Sequence, residues 1–298
     1  MHIDGRSVFG VNADDYDRIR PDYPADWIAR HLGPIATGQT ALDIGCGTGK
    51  LGRTLSSLGF DTLGVEPDAR MAAVATTGGL PVEVTPFERW DPGARRFDVV
   101  ACGQAWHWLD PASRARRTAR CMVRGGRLLL VWHMGTHPVD VSDALAEVYR
   151  NFAARESAID DEVREPTDRP TEGDTDPREG VDGPPEDSPI DLGLFTSELR
   201  DEGFHGIRQE AVPWSRRYSA QEWRQLLSTE SGHLSLPPEQ RDRLLDAVQQ
   251  CVAGMPDGGL RVDYDCILLT AIAIGYPGEA TEAERLRTYS TTSVATAE

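Results

Sequence analysis

The stretch Ala41-Leu42-Asp43-Ile44-Gly45-Cys46-Gly47-Thr48-Gly49 places an acid and three glycines between a short apolar run and a segment with helical spacing. It reads as strand, loop, helix. Glycines in such a loop let the backbone approach a ligand and turn through positive φ without a Cβ clash. The free N–H groups opening the next helix favour an anionic ligand group. A pyrophosphate and an amino-acid carboxylate both meet that description.

Gly47, Gly49 and Gly52 also satisfy the spacing of a dinucleotide loop. That fingerprint starts directly as the first strand ends, whereas here it starts after an additional Gly45-Cys46. Asp43, at the strand's end, repels a pyrophosphate but suits an ammonium group. A ligand carrying both carboxylate and ammonium, such as the methionine end of S-adenosylmethionine, uses both features. A phosphate-binding P-loop is excluded, because Lys50 is followed by Leu51 rather than Ser or Thr. Glu66 closes the next apolar run about twenty residues on, where an acid accepts hydrogen bonds from ribose hydroxyls. That ribose belongs to NAD and to S-adenosylmethionine alike.

Outward from the loop, short apolar runs at 41–44, 62–65, 82–85, 97–102 and 127–132 alternate with helical stretches at 50–58, 68–76 and 112–123. Such alternation predicts an α/β fold with a mostly parallel sheet covered by helices on both faces. Upstream, residues 14–20 and 24–32 read as two short helices separated by prolines. Downstream, 141–154 is helical in period. Helices are also expected at 192–202, at 219–229 with a capping box at Ser219 and Glu222, and at 237–253. Strands are expected at 207–214 and 260–272.

The net charge of −17 is concentrated. Residues 156–189 hold thirteen acids against three arginines, with six prolines and no aromatic. That composition predicts a disordered acidic insertion. The expected organisation is therefore an N-terminal cap plus cofactor-binding core over 1–155, the insertion over 156–189, the rest of the core with a helical lid over 190–275, and a flexible tail over 276–298. No excess of cations is available for nucleic-acid phosphates, and no apolar run nears the roughly 18 residues of a membrane span. The five scattered cysteines form no C-x-x-C pair, so no metal site is expected. With no secretory leader visible, a cytoplasmic setting follows. Oligomeric state is not readable.

The strings ALDIGCGTGKL (41–51) and LGVEPDARM (63–71) resemble the first and second motifs of class I S-adenosylmethionine-dependent methyltransferases. FERWDPGARRFDVVACGQAWHWLDP (87–111) is similar to the third- and fourth-strand region of the small-molecule members. YDRIRPDYP (16–24), WSRRYSAQEWRQLLST (214–229) and RLLDAV (243–248) resemble a bacterial subgroup related to trans-aconitate-type and type 11 methyltransferases. The resemblance spans roughly 5–155 and 190–273. It implies a Rossmann-like seven-stranded sheet of order 3-2-1-4-5-7-6, the last strand antiparallel, with a small helical lid. It implies methyl transfer to an oxygen or carbon of a small-molecule metabolite. By the same resemblance Asp43, Gly45, Gly47 and Gly49 face the methionine end and Glu66 the ribose. Pro67, Met71, Phe87 and Glu88 surround the adenine, and Gln104 lies near the sulfonium. Tyr16 and Arg20 belong to an N-terminal cap, with Arg20 on the cofactor carboxylate.

Methyl transfer needs alignment and exclusion of water, and a base only where the nucleophile is poorly ionised. His107, between two tryptophans after the fourth strand, and His133, after the fifth, are the candidate bases; His107 is the better placed of the two and also reads as a structural histidine that shapes the loop. Trp214, Arg216, Arg217, Tyr218 and Trp223 suit a lid over a carboxylated or aromatic substrate, or plain packing of that subdomain. An NAD-dependent oxidoreductase and a non-catalytic S-adenosylmethionine-binding protein of the same fold are the competing readings.

Overall fold

Alternation of side chains along the central strands decides the layering. In β1 (Thr40–Ile44), β4 (Phe97–Gly103) and β5 (Met122–Thr136), Leu42, Ile44, Val100, Cys102, Leu128, Leu130 and Trp132 pack on one face. Ala41, Val99, Ala101, Leu129 and Val131 pack on the other. Both faces are apolar, so both must be covered. On the second face lie α2 (Ala25–Leu32) and α3 (Lys50–Ser57), through Trp27, Ile28, Leu51 and Leu55. On the first lie α5 (Arg114–Arg120) and α7 (Leu192–Asp201), through Ala115, Phe195 and Leu199. This computed structural model describes residues 9–163 and 190–275.

The sheet is completed by β2 (Asp61–Glu66), β3 (Val82–Val84), β6 (His205–Ser219) and β7 (Gly259–Ile272). Its order is β3-β2-β1-β4-β5-β7-β6, with β7 antiparallel to both neighbours. This is the order that the family resemblance implies. Helix α4 (Ala69–Thr77) crosses from β2 to β3, capped by the Asp68 side chain on the Arg70 N–H.

A second core lies at one end of the sheet. There α6 (Val139–Val163), α8 (Ala220–Leu227) and α10 (Pro238–Ala253) pack Leu145, Tyr149, Trp223, Leu226, Leu244 and Val248 against the ends of β6 and β7. Short α9 (Ser231–Leu234) links α8 to α10. Helix α8 carries the expected capping box in full, Ser219 accepting from the Glu222 N–H and Glu222 from the Ser219 N–H. The N-terminal α1 (Ala13–Ile19) inserts Ile19 into this second core.

Four elements depart from their expected bounds. Helix α6 runs to Val163, so the expected division at 155/156 falls inside a helix; 164–189 and the expected tail at 276–298 lie outside the described residues. Helix α5 ends at Arg120, because Met122 already pairs with Phe97 as the start of β5. Strands β5 and β6 run 15 residues each, beyond the apolar stretches that mark them. Their extra length is an arm paired through β7, Thr136↔Asp263 and Ser219↔Gly259, with one face half open. Partner strands rather than local hydrophobicity stabilise that arm.

Candidate active site

The carboxyl ends of β1, β2 and β4 converge on a cleft of about 700 Å³, open solvent at its mouth included. Its floor is the glycine loop. Gly45 stands at φ +63°, and a Cβ there would come within 2.7 Å of the Ala105 Cβ, so the loop and the end of β4 approach as only glycine permits. Gly49, at φ +87°, caps α3 with its Cα against Ala75. Gly45 and Gly47 line the cleft; Gly49 lies behind them.

Glu66 is 6% exposed and lines the cleft. Its Oε2 accepts the Gly47 N–H at 2.9 Å and its Oε1 the Asp68 N–H at 3.0 Å. Both oxygens are thereby fixed, and each retains acceptor capacity for a ligand hydroxyl. Burial raises the carboxyl above its usual range, the two backbone donors opposing that shift.

Asp43 is 1% exposed and sits beneath the loop, outside the cleft lining. Neither oxygen meets hydrogen-bond geometry with a described residue, although the Gly52 amide lies close enough to favour the ionised form. Desolvation pushes its carboxyl up to about 8, with nearby Glu66 adding to the rise. A cationic group above the loop lowers that value.

Pro67, Met71 and Phe87 form an apolar wall beside Glu88, whose Oε1 accepts the Asp110 N–H at 3.1 Å. Gln104 also lines the cleft in a left-handed backbone at φ +56°, uncommon for a side chain of its kind. Two bonds over-determine it: its N–H donates to the Val131 carbonyl and its Nε2 to the His133 carbonyl, at 2.9 and 3.1 Å. Strain of this kind clusters at functional sites.

The roof is aromatic. Phe9 meets Tyr16 and Trp108 edge-on, at 6.2 and 5.9 Å between centroids, and all three line the cleft. The sequence offers no sign of Phe9, because the Phe9–Asn12 turn has no periodicity to read. Trp108 was foreshadowed by its place beside His107.

Besides Asp43 and Gly49, three more expected site residues lie outside the cleft lining. Arg20 does not line the cleft: its Nε donates to Thr229 Oγ1 at 2.9 Å and its Nη2 to the Thr229 carbonyl at 3.0 Å, tying α1 to the end of α8. His107, on the turn Trp106–Trp108, does not line the cleft. Burial and the Arg114 charge push it down to about 4. His133 stacks on Tyr23 at 5.1 Å, one strand over from the cleft, and burial pushes it to about 4 as well. Among the described residues no cluster of three or more His, Cys, Asp or Glu suits a metal ion, and no helix is long and apolar enough to cross a membrane.

The cleft suits one ligand chemistry: glycine backbone and an orphaned buried acid at one end, a diol acceptor in the middle, and an apolar slot at the other. S-Adenosylmethionine has those parts in that order. Comparison with known proteins agrees. A methyltransferase-domain family model matches residues 16–156. An uncharacterized methyltransferase of Mycobacterium tuberculosis is 27% identical over 277 residues, covering 88% of this chain and 94% of that one. A ubiquinone biosynthesis O-methyltransferase of Methylobacterium sp. is 38% identical over 127 residues, 38% of this chain and half (50%) of that one. The phosphoethanolamine N-methyltransferase 2 of Haemonchus contortus, solved with S-adenosylhomocysteine, shares the fold at TM-score 0.51 and 16% identity; the match covers 91% of this chain and 60% of that one. Family model, near full-length relative and sheet topology converge with the chemistry of the cleft on a class I S-adenosylmethionine-dependent methyltransferase.

Proposed function

We propose that this methyltransferase acts on an oxygen or carbon of a small-molecule metabolite. The observation that carries this reading is the aromatic roof of Phe9, Tyr16 and Trp108 over a cleft set between strand ends, a concave and largely apolar site of the kind that holds small molecules. The partial relative that acts in ubiquinone biosynthesis as an O-methyltransferase supports it. When bound, S-adenosylmethionine supplies a methyl group already activated on a sulfonium. The chain's task is then to bind, orient and exclude water. In this reading Gly45 and Gly47 approach the amino-acid end, Glu66 accepts from the ribose, and Pro67, Met71, Phe87 and Glu88 enclose the adenine. Gln104 and Tyr16 bound the reacting end. His133, neutral at pH 7 and one strand over from the cleft, is the candidate base for a hydroxyl acceptor that extends past Gln104. His107 shapes the Trp108 wall.

Calorimetry with S-adenosylhomocysteine tests the cofactor half: one site per chain is expected, and a folded protein that binds neither it nor S-adenosylmethionine overturns the reading. Turnover of radiolabelled methyl groups across phenols, carboxylic acids and enols tests the rest. Incorporation confined to a protein or nucleic-acid acceptor rules the small-molecule assignment out.

Asp43 adds a pH signature. Its carboxyl stands at about 8 in the folded protein against 3.8 in the unfolded chain, so the native state holds a proton that the unfolded chain releases. On this count the apoprotein is most stable below about pH 4 and loses that contribution as pH rises through about 8. Cofactor binding runs the other way, because an ammonium favours ionised Asp43. Affinity for S-adenosylhomocysteine is expected to rise severalfold between about pH 6 and pH 8. Asp43→Asn should flatten both profiles; wild-type affinity independent of pH in that window would remove Asp43 from the site.

A further inference from the structure

Beyond the carboxyl end of β5 the arm and the lid enclose a run of aromatic and imidazole rings that the cofactor cleft does not use. Tyr23 stacks on His133 at 5.1 Å, His133 meets Trp214 edge-on at 5.5 Å, and Trp214 stacks on Tyr264 at 4.4 Å. The Tyr264 hydroxyl shares a 2.9 Å hydrogen bond with that of Tyr218. Tyr218 in turn packs on Trp223, which meets His137 edge-on at 5.1 Å.

This run touches the cleft at two points. Gln104, in the cleft wall, donates to the His133 carbonyl. The Tyr23 hydroxyl lies 2.5 Å from where a Cβ on Gly103, another wall residue, would stand.

Its ring nitrogens are unsatisfied. Trp214 Nε1, Trp223 Nε1, His137 Nε2 and both ring nitrogens of His133 are buried without a hydrogen-bond partner among the described residues; the Asp22 carbonyl lies near His133 outside bonding geometry. Buried polar groups in proteins are paired in the large majority, and a cluster of unpaired ones is a place where a further group can bind. An indole N–H only donates, and each neutral imidazole donates once. Burial lowers both histidines, so they are neutral at pH 7. The unmet demand is chiefly for acceptor atoms. Arg216 lies over the Tyr218 ring at 4.7 Å, adding positive potential. The acids near these rings already have cationic partners: Glu230 with Arg20 at 4.0 Å and His233 at 3.5 Å, Glu222 with Arg216 at 3.6 Å, Asp22 with Lys50 at 2.7 Å and Asp263 with Arg261 at 2.8 Å.

We propose that these rings form the acceptor site, and that it takes a planar acceptor presenting oxygen atoms, a phenol, enol or aryl carboxylate, in preference to an amine. Flat rings suit a flat acceptor, and unpaired N–H donors suit oxygen. This rests on the methyltransferase reading above, since it places the acceptor beside that cofactor.

Tryptophan fluorescence of the full chain saturated with S-adenosylhomocysteine tests it, with 4-hydroxybenzoate, catechol and benzylamine as probes. Saturable quenching by at least one oxygen probe is expected, with benzylamine at least tenfold weaker. His137→Phe and Trp223→Phe, each keeping a ring and removing its N–H, should weaken the oxygen probe about tenfold. No saturable response to either oxygen probe, tighter binding of benzylamine, or unchanged affinity in both variants overturns the proposal. Calorimetry with S-adenosylhomocysteine on the same samples separates the two readings. Cofactor binding without probe binding sinks the acceptor site alone, whereas loss of cofactor binding in the wild type sinks the reading beneath it. Circular dichroism melts establish that each variant is folded.

Discussion

Replacing Glu66 by alanine is expected to weaken S-adenosylhomocysteine binding about 100-fold, or roughly 3 kcal/mol. The size follows from what the carboxylate does at 6% exposure. Hydrogen bonds to a charged group contribute about 1.5–3 kcal/mol each, and a ribose offers two hydroxyls. The Gly47 and Asp68 N–H groups hold both carboxylate oxygens before the ligand arrives, so little ordering cost remains. The substitution also frees the Gly47 N–H that fixes the loop. Stability of the apoprotein should change far less, because the lost carboxylate was costly to bury. Glu66→Gln keeps shape and one acceptor oxygen, and an intermediate loss of about tenfold is expected. Calorimetry at pH 7.5 or thereabouts decides: a change under about threefold for alanine means that no diol sits there.

Residues such as Glu66 were legible because their position follows from the strand pattern. In a parallel sheet the carboxyl ends of the strands share one edge, so Gly45, Glu66, Phe87 and Gln104 meet once the strands are located. The structure brings these together with Tyr16, Gly47, Pro67, Met71 and Glu88 around one cleft. Side-chain direction was not legible in the same way. Arg20 and Tyr16 are one helical turn apart, and Arg20 lies over the Tyr16 ring at 5.3 Å. Yet Tyr16 faces the cleft while the Arg20 guanidinium is drawn to Thr229, more than two hundred positions away in sequence. His107 shows the same limit. Flanking tryptophans marked an enclosed turn, but not that its wall would be made by Trp108 alone. The long arms of β5 and β6 escaped notice because pairing, rather than local composition, makes them strands.

The turn that carries His107 and Trp108 depends on a buried ion pair, and breaking that pair should give the largest loss of stability. Arg114, its side chain 4% exposed, meets Glu198 through two bonds of 2.8 and 2.6 Å. Its Nη1 donates to the Trp106 carbonyl at 2.8 Å, and the guanidinium lies over Phe195 at 4.7 Å. One cation therefore joins α5, α7 and the turn forming the cleft's Trp108 wall. Glu198→Ala leaves that cation buried without its carboxylate, which typically costs about 3–5 kcal/mol. For a chain of this size the unfolding midpoint should fall by roughly 10 °C. Because the Trp106 carbonyl is held by the same guanidinium, S-adenosylhomocysteine affinity should fall with it, although Glu198 touches no part of the cleft. Exchanging both partners for apolar residues, Arg114→Met with Glu198→Leu, removes the stranded charge and should recover much of the stability. It cannot restore the bond to Trp106, so the affinity loss should persist in the double variant. Recovery of stability without recovery of affinity would assign the pair to shaping the cleft; a single-variant loss below about 1 kcal/mol in denaturant titration would show that solvent reaches Arg114 and that the pair holds nothing together.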